Sequence, residues 1–230
     1  MKNIFLITFL LMLCSTEILL AQYADRKFIS GSAGIDFNNS KPQNADVTNS
    51  FGYNFDLAIG KFKTNTKAVG WRLGNSISGG KQTYSYYNGN ESVYHEETGI
   101  RVAGVGIGRF WQFYKHFNSQ IGVYAGPNTD VRYSYATEYS TSSDGRALYY
   151  QRNNKISLSA GLGAGMYYHF SEKWWVTASL AFSNPVSVDY SFISNSNITD
   201  GSGYKQKLLT YSFSPNFTFP SVGFGLRCFL

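Results

Sequence analysis

Residues that could act as acids, bases or metal ligands are few and widely separated in this sequence. Histidine is the usual general base of enzyme sites, and the chain has 3 histidines: His95, His116 and His169. The best local set for acyl transfer joins His95 to Ser92 and to Glu96 or Glu97. Adjacent residues of an extended chain point to opposite faces, and no second histidine is near. The sequence therefore indicates no catalytic, cofactor or metal site.

Strands must position whatever chemistry the chain has, because apolar residues recur with a period of two. For example, the apolar Phe51, Tyr53 and Phe55 alternate with Gly52 and Asn54. Eight segments show the alternation: 28–37, 51–60, 69–78, 98–111, 119–135, 156–170, 174–183 and 211–230. None has the three-and-four spacing of an amphipathic helix. We expect eight strands, each with one apolar face and one small or polar face.

The links between these segments alternate in length. Long links rich in Asn, Ser, Gly, Thr and Tyr occupy 38–50, 79–97, 136–154 and 191–207. Short links occupy 63–67, 114–118 and 171–173. An up-and-down sheet places all long links at one end, so the pattern predicts an all-β, eight-stranded antiparallel barrel with long loops at one end.

Composition indicates which face of this barrel meets water. The chain is 43% hydrophobic, 17% aromatic and only 15% charged, with 23 glycines. The face opposite the apolar one is mostly Gly, Ser, Asn and Ala, whereas a water-facing barrel surface is normally more charged. Aromatic residues gather near strand ends, as at Trp111, Phe113, Trp174 and Trp175. Both observations favour a transmembrane barrel over a soluble barrel with an apolar interior.

The N-terminus resembles a cleaved secretory signal. Met1-Lys2-Asn3 carries one positive charge, and the apolar run that follows is too short to span a bilayer as a helix. We predict a signal peptide at 1–21 and a barrel domain at 22–230. The mature chain would then keep one cysteine, Cys228, and no internal disulfide.

Together these features resemble the small outer-membrane β-barrel family, the OmpA/OmpX-like group, over residues 28–230. The resemblance implies the outer membrane of a Gram-negative-type bacterium, with the termini and short turns periplasmic and the long loops outside the cell. It also implies that the barrel-assembly machinery recognises the C-terminal strand. Members usually end on Phe or Trp, whereas here Phe229 is penultimate and Leu230 is last, so that signal is weakened or shifted.

Polar residues on the inward side predict a plug that fills the barrel and fixes its register. Charges in a low-dielectric lumen must be paired or hydrogen-bonded. Arg101 and Arg109 are also assigned to the interior, although the apolar spacing slips around 104–108. The predicted plug consists of Asp36, Asn54, Asp56, Arg72, His169 and Arg227. A narrow pore for small solutes is the alternative.

The long links carry tyrosines among small polar residues, a mixture that recognition loops use. The predicted recognition residues are Tyr84, Tyr86, Tyr87, Tyr94, Tyr149 and Tyr150, and their ligand is unknown. We predict a non-enzymatic outer-membrane protein with a structural or surface-interaction role. A narrow pore and a lipid-modifying enzyme are the alternatives.

The distribution of charge limits the classes of partner that the chain could bind. The net charge of +6 is spread over turns, links and lumen, which excludes nucleic-acid binding. Outer-membrane lipid and lipopolysaccharide are the expected partners, and the basic residues of the short turns are expected to meet anionic phospholipid heads. Those residues are Lys61, Lys63, Lys67, Lys115 and Lys173.

Overall fold

Nine antiparallel strands make up almost all of the described chain. The computed structural model describes residues 23–40, 48–89, 91–214 and 223–230, so the predicted signal peptide at 1–21 lies outside the described residues. None of the described residues belongs to a helix long and apolar enough to cross a membrane. The strands are β1 Lys27–Ser40, β2 Thr48–Thr64, β3 Lys67–Asn88, β4 Glu91–His116, β5 Ile121–Thr141, β6 Leu148–Ser171, β7 Trp174–Asn197, β8 Gly203–Phe213 and β9 Gly223–Phe229.

The strands close into a ring. Strands β1 to β7 pair with their sequence neighbours, and β9 pairs with both β7 and β1. Strand β8 also pairs with β7, on the same side of β7 as β9 but farther from the short turns. Eight strand positions therefore form a closed antiparallel barrel, which confirms the predicted fold class.

The final wall position differs from the continuous strand predicted at 211–230. The β7 partners of Phe213 and Gly223 are Val186 and Ser179, which are seven residues apart, whereas Phe213 and Gly223 are ten apart. Residues 215–222 of that predicted strand lie outside the described residues. Among the described residues, 32–40 of β1 pair with β2 alone. The wall at β1 is therefore joined to β9 only near the short turns.

The predicted long loops at 79–97, 136–154 and 191–207 are wrong as loops, because most of their residues are paired strand. Strand β3 ends at Asn88 and β4 begins at Glu91, so this connection is a tight turn. Thr and Tyr fit a pleated strand well, and pairing overrides the loop-like Ser and Asn content. These residues form long β-hairpins that continue the barrel wall.

The wall has an apolar outer face and a small-residue inner face. Outward side chains such as Ile59, Leu73 and Ile107 are 55%, 47% and 53% exposed. Inward glycines allow close packing, since a Cβ at Gly70 would overlap the Phe110 ring.

An irregularity between β3 and β4 reverses which residues face inward. The register shifts after Ser78, which pairs with Val102, while Gly79 pairs with Ile100. On the short-turn side of the shift, even-numbered residues of β4 face the lumen. On the other side, toward the β3–β4 turn, odd-numbered residues face it. Arg101 therefore faces inward, but Arg109 faces outward beside Trp71. The interior assignment of Arg109 is wrong, because an extended strand alternates strictly from the inward Phe110.

Candidate functional site

An ion pair on the inner face of the wall, near the mid-height of the barrel, joins two strands that are not direct neighbours. Arg72 Nε donates to Asp130 Oδ1 at 2.6 Å, and a second guanidinium nitrogen contacts the other carboxylate oxygen. The same guanidinium reaches Asn128 Oδ1 at 3.4 Å. Strands β3 and β5 supply these residues, so the pair ties together wall positions that are separated by β4. Bidentate geometry of this kind fixes orientation as well as charge.

Asp56 and Arg132 extend this polar layer. Arg132 donates to the Ser76 hydroxyl. Asp56 lies against Gly74, where a Cβ would stand 2.7 Å from Asp56 Oδ1. The layer borders a cavity of about 600 Å³ whose lining also includes Asn184, Ser157 and Ser159. The charged groups around it are Asp56, Arg72, Asp130, Arg132 and Arg227.

Aromatic side chains close the lumen at the short-turn end. Their rings stack and cross at short range: Tyr167 and Trp175 at 4.2 Å between centroids, Trp175 and Phe229 at 4.8 Å. These rings are almost completely buried and fill the inner side of the wall at this end. We call this group the aromatic plug; it comprises Tyr23, Phe28, Phe62, Phe110, Tyr114, Tyr167, Trp175 and Phe229.

Arg227 is held inside the aromatic plug and is only 3% exposed. Its guanidinium carbon lies 4.0 Å from the centroid of the Phe28 ring. It donates to the Tyr114 hydroxyl, and to Gln112 Oε1 at 3.1 Å. Aromatic faces and neutral acceptors therefore compensate this buried cation.

The segment before β1 folds beneath the barrel. The backbone N–H of Tyr23 donates to Asn65 Oδ1 at 3.1 Å, and that of Asp25 donates to Phe62 O at 2.9 Å. Lys61 Nζ lies 2.7 Å from the Asp25 carboxylate. These contacts seat the 3%-exposed Tyr23 ring in the aromatic plug.

Two histidines border the aromatic plug, far along the barrel from His95. The rings of His116 and His169 lie 5.4 and 6.4 Å from that of Tyr23. His116 Nε2 is 2.8 Å from Asn65 O. Both imidazoles therefore serve in the packing at the short-turn mouth.

The six predicted lumen residues do not form one cluster. Asp56 and Arg72 lie at the mid-height layer, Arg227 lies in the aromatic plug, and His169 lies beside it. Asn54 faces Gly34, whose Cβ position is 2.8 Å from Asn54 Oδ1. Asp36 borders a second cavity of about 510 Å³ above the layer, together with Arg101.

A second aromatic cluster lies in the hairpins above the barrel. Tyr139 packs against Tyr84, His95 and Tyr150 with centroids 5.3, 4.9 and 4.9 Å apart. Burial, reinforced by the nearby Glu97 carboxylate, raises the pKa of Tyr139 to about 12. We call these four rings with Glu97 the hairpin cluster.

The predicted recognition tyrosines fall into three groups. Tyr84 and Tyr150 belong to the hairpin cluster. Tyr86 and Tyr149 are half-buried. Tyr87 and Tyr94 are 53% and 68% exposed near the end of the β3–β4 hairpin.

The candidate acyl-transfer set around His95 is not assembled. His95 Nε2 and Glu97 Oε2 are 3.6 Å apart on the inward face. Ser92 and Glu96 lie on the opposite face, where Glu96 pairs with Lys81 at 2.6 Å. Within the part of the chain that the structure describes, no three His, Cys, Asp or Glu residues are grouped to hold a metal.

Sequence reasoning missed Asp130, Arg132, Tyr23 and Tyr114. Asp130 and Arg132 are two residues apart in β5, so their shared face follows from the alternation at 119–135. The position of Tyr23 depends on tertiary contacts with Asn65, for which the sequence carries no local signal.

Similarity to known proteins is found among solved structures. No family model matches the chain, and no curated protein matches it, so the OmpA/OmpX-like resemblance remains a prediction. The outer membrane protein OprG from Pseudomonas aeruginosa is 14% identical over 90% of this chain and 98% of its own, with a TM-score of 0.44. A major outer membrane protein from Thermus thermophilus is 13% identical over 90% of this chain and 100% of its own, with a TM-score of 0.39. At these scores the fold assignment rests on the hydrogen-bonded ring itself, which is a closed eight-position antiparallel β-barrel.

Proposed function

We propose that the chain is an integral outer-membrane β-barrel without enzymatic activity that presents rigid β-hairpins outside the cell for surface contacts. Its short turns would face the periplasm, and residues 1–21 would direct export. Lipid and lipopolysaccharide would surround it, and the barrel-assembly machinery would insert it through the C-terminal strand.

The outer face supports a lipid environment. Leu158, Val131 and Leu162 are 53%, 48% and 42% exposed, and nothing in the described chain covers them. Soluble proteins rarely leave a continuous apolar surface of this kind open to water. Large aromatic side chains ring the short-turn end, as they do at membrane interfaces: Trp71, Phe113, Tyr168, Phe170 and Trp174.

Strand length is the observation that carries the surface role. Strands β3 to β7 contain 22, 26, 21, 24 and 24 residues, whereas a bilayer needs about 9–11. At roughly 3.3 Å per residue, the surplus extends tens of ångströms beyond the membrane. Hairpins of that length are the natural contact surface of the protein.

Contacts between the hairpins keep this surface ordered. The N–H of Tyr87 donates to Gly145 O at 2.7 Å, which joins the β3–β4 hairpin to the β5–β6 hairpin. The hairpin cluster packs between the same two elements. Exposed tyrosines on an ordered support lose little conformational entropy when they bind.

The pore alternative has one observation in its favour, the cavity of about 600 Å³. The aromatic plug lies between that cavity and the short-turn mouth. We therefore expect a flat current trace from the intact chain in planar bilayers.

The enzyme alternative lacks an assembled nucleophile and base around His95. We expect identical lipid A mass spectra with and without expression. A new lipid A species would contradict the non-enzymatic assignment.

The surface role is tested by whole-cell aggregation and adhesion. Substituting Tyr87→Ser and Tyr94→Ser together should lower adhesion several-fold, with surface display unchanged. Tyr204→Ser is the matched control, because Tyr204 is 58% exposed on the β7–β8 hairpin. Unchanged adhesion by the double variant would contradict a role for the β3–β4 hairpin.

A further inference from the structure

The outer wall at β3 and β4 carries cations where only apolar side chains are expected. Register places Trp71 opposite Arg109, Val69 opposite Trp111 and Lys67 opposite Phe113. All of these side chains belong to the outward phase of their strands. They form a ladder of basic and aromatic pairs that leads from the wall to the short turns.

Arg109 is exposed in a column of apolar neighbours. Val105 and Ile107 above it are 46% and 53% exposed, and Phe113 below it is 51% exposed. A charge on the lipid face of a barrel is unfavourable within the apolar band and tolerated near an interface. Arg109 therefore requires a partner of opposite charge or a route to the headgroups.

Two indole rings hold the Arg109 guanidinium. Its central carbon lies 5.2 Å from the Trp71 centroid and 5.5 Å from the Trp111 centroid. In the part of the chain that the structure describes, no carboxylate pairs with it. Its N–H donors remain available, and their planar fork matches two oxygens of a phosphate.

Further cations continue the ladder toward the short turns. Lys67 Nζ lies 5.5 Å from the Phe113 centroid, and Lys63 and Lys115 are exposed on the same face. Two acidic residues lie at this mouth: Asp25 is paired with Lys61, and Glu172 is in the β6–β7 turn, away from β3 and β4. The surface is thus positive, flanked by indoles, and at the depth where phosphate groups meet acyl chains.

We propose that Arg109, Trp71, Trp111 and Lys67 form a binding site for an anionic glycerophospholipid of the leaflet on the short-turn side. The guanidinium binds the phosphate diester through two N–H donors, and the indoles cover the acyl-glycerol region. Lys67 supplies a second positive charge nearer the headgroup. This inference rests on the proposed membrane-embedded function.

Native mass spectrometry of the full chain, released from nanodiscs, tests the site. Nanodiscs contain equal phosphatidylglycerol and phosphatidylcholine, and retained lipid is counted for each variant. Arg109→Gln should lower phosphatidylglycerol retention about tenfold, and Arg109→Lys should restore it only in part because Lys lacks the fork. Arg146→Gln, on the exposed β5–β6 turn, removes an equal charge and should change nothing.

Several outcomes would overturn the site. Equal retention by Arg109→Gln and the unsubstituted chain would do so, as would equal retention of both lipids by the unsubstituted chain. A parallel arm with lipid A tests the other leaflet, and preferential loss of lipid A would also overturn the assignment.

Folding is monitored separately by heat-dependent gel migration. If Arg109→Gln does not fold, Trp71→Leu carries the test with an expected loss of about fivefold. Failure of the unsubstituted chain to insert into bilayers contradicts the proposed function, whereas insertion without lipid preference contradicts only this site.

Discussion

Arginines on the inner side of the wall are compensated in two different ways. Arg72 has a carboxylate partner, Asp130, at the border of a cavity. Arg227 has no carboxylate among the described residues and lies between aromatic faces and neutral acceptors. Both side chains border the same cavity, but Arg72 is 42% exposed and Arg227 only 3%, so the ion pair suits the wetter position and the aromatic faces suit the drier one.

Removing one member of the lumen ion pair should weaken the barrel. Breaking a buried pair costs about 3–5 kcal/mol, but the Arg72 side chain is 42% exposed, so we expect about 1–2 kcal/mol for Asp130→Asn. Urea unfolding in lipid vesicles measures the change. Glu96→Gln, in an exposed pair, is the control and should cost less than about 0.5 kcal/mol.

Tyr139 should ionise late, because burial and Glu97 raise its pKa to about 12. The folded pKa lies above the unfolded value near 10, so its contribution to stability is complete below pH 10 and is lost as pH rises toward 12. Tyrosinate absorbance measures this ionisation. Tyr139→Phe should remove the part of the absorbance change that occurs near pH 12. Glu97→Gln should shift that part to lower pH. Identical titrations for the unsubstituted chain and both variants would contradict this.

At the scale of elements, the alternation in the sequence correctly predicted the strands within the barrel. It did not predict how far those strands extend. The pairing of Ser- and Asn-rich segments at 79–97 and 136–154 depends on cross-strand contacts such as those of Tyr84, Tyr139 and Tyr150. The split of the last strand depends on register between distant segments. Neither feature has a local signal.

The site was predictable to a similar extent. Asp56 and Arg72 follow from strand phase alone. The opposite orientations of Arg101 and Arg109, both odd-numbered residues of β4, do not, because the phase reversal opposite Ser78 depends on the β3–β4 register.

The aromatic plug should control passage through the lumen. Tyr23→Ala with Trp175→Ala removes two large rings from the short-turn mouth, and we expect discrete current steps in planar bilayers where the intact chain gives none. Phe213→Ala with Leu209→Ala, on exposed β8, is the matched control and should leave the trace flat. A flat trace from the first variant would contradict the aromatic plug as the barrier to passage.

The whole molecule is a barrel whose outer face is apolar and whose interior is polar, the reverse of a soluble protein. Apolar side chains such as Ile107 and Leu158 are exposed, while charges such as Arg72 and Arg227 face inward. Hairpins extend one end of the wall, and the aromatic plug closes the other. This arrangement requires that the outer face of the wall lie in lipid.

Spin-label accessibility in lipid vesicles tests that requirement most directly. In a background that carries Cys14→Ser and Cys228→Ser, labels are placed at outward Leu73, Ile107 and Leu158 and at the cavity-lining Ser157 and Ser159. We predict that oxygen, which concentrates in acyl chains, relaxes the three outward labels much more than a water-soluble nickel chelate does, whereas the two lumen labels show no such preference. Outward labels that are relaxed mainly by the nickel chelate would contradict a membrane-embedded barrel.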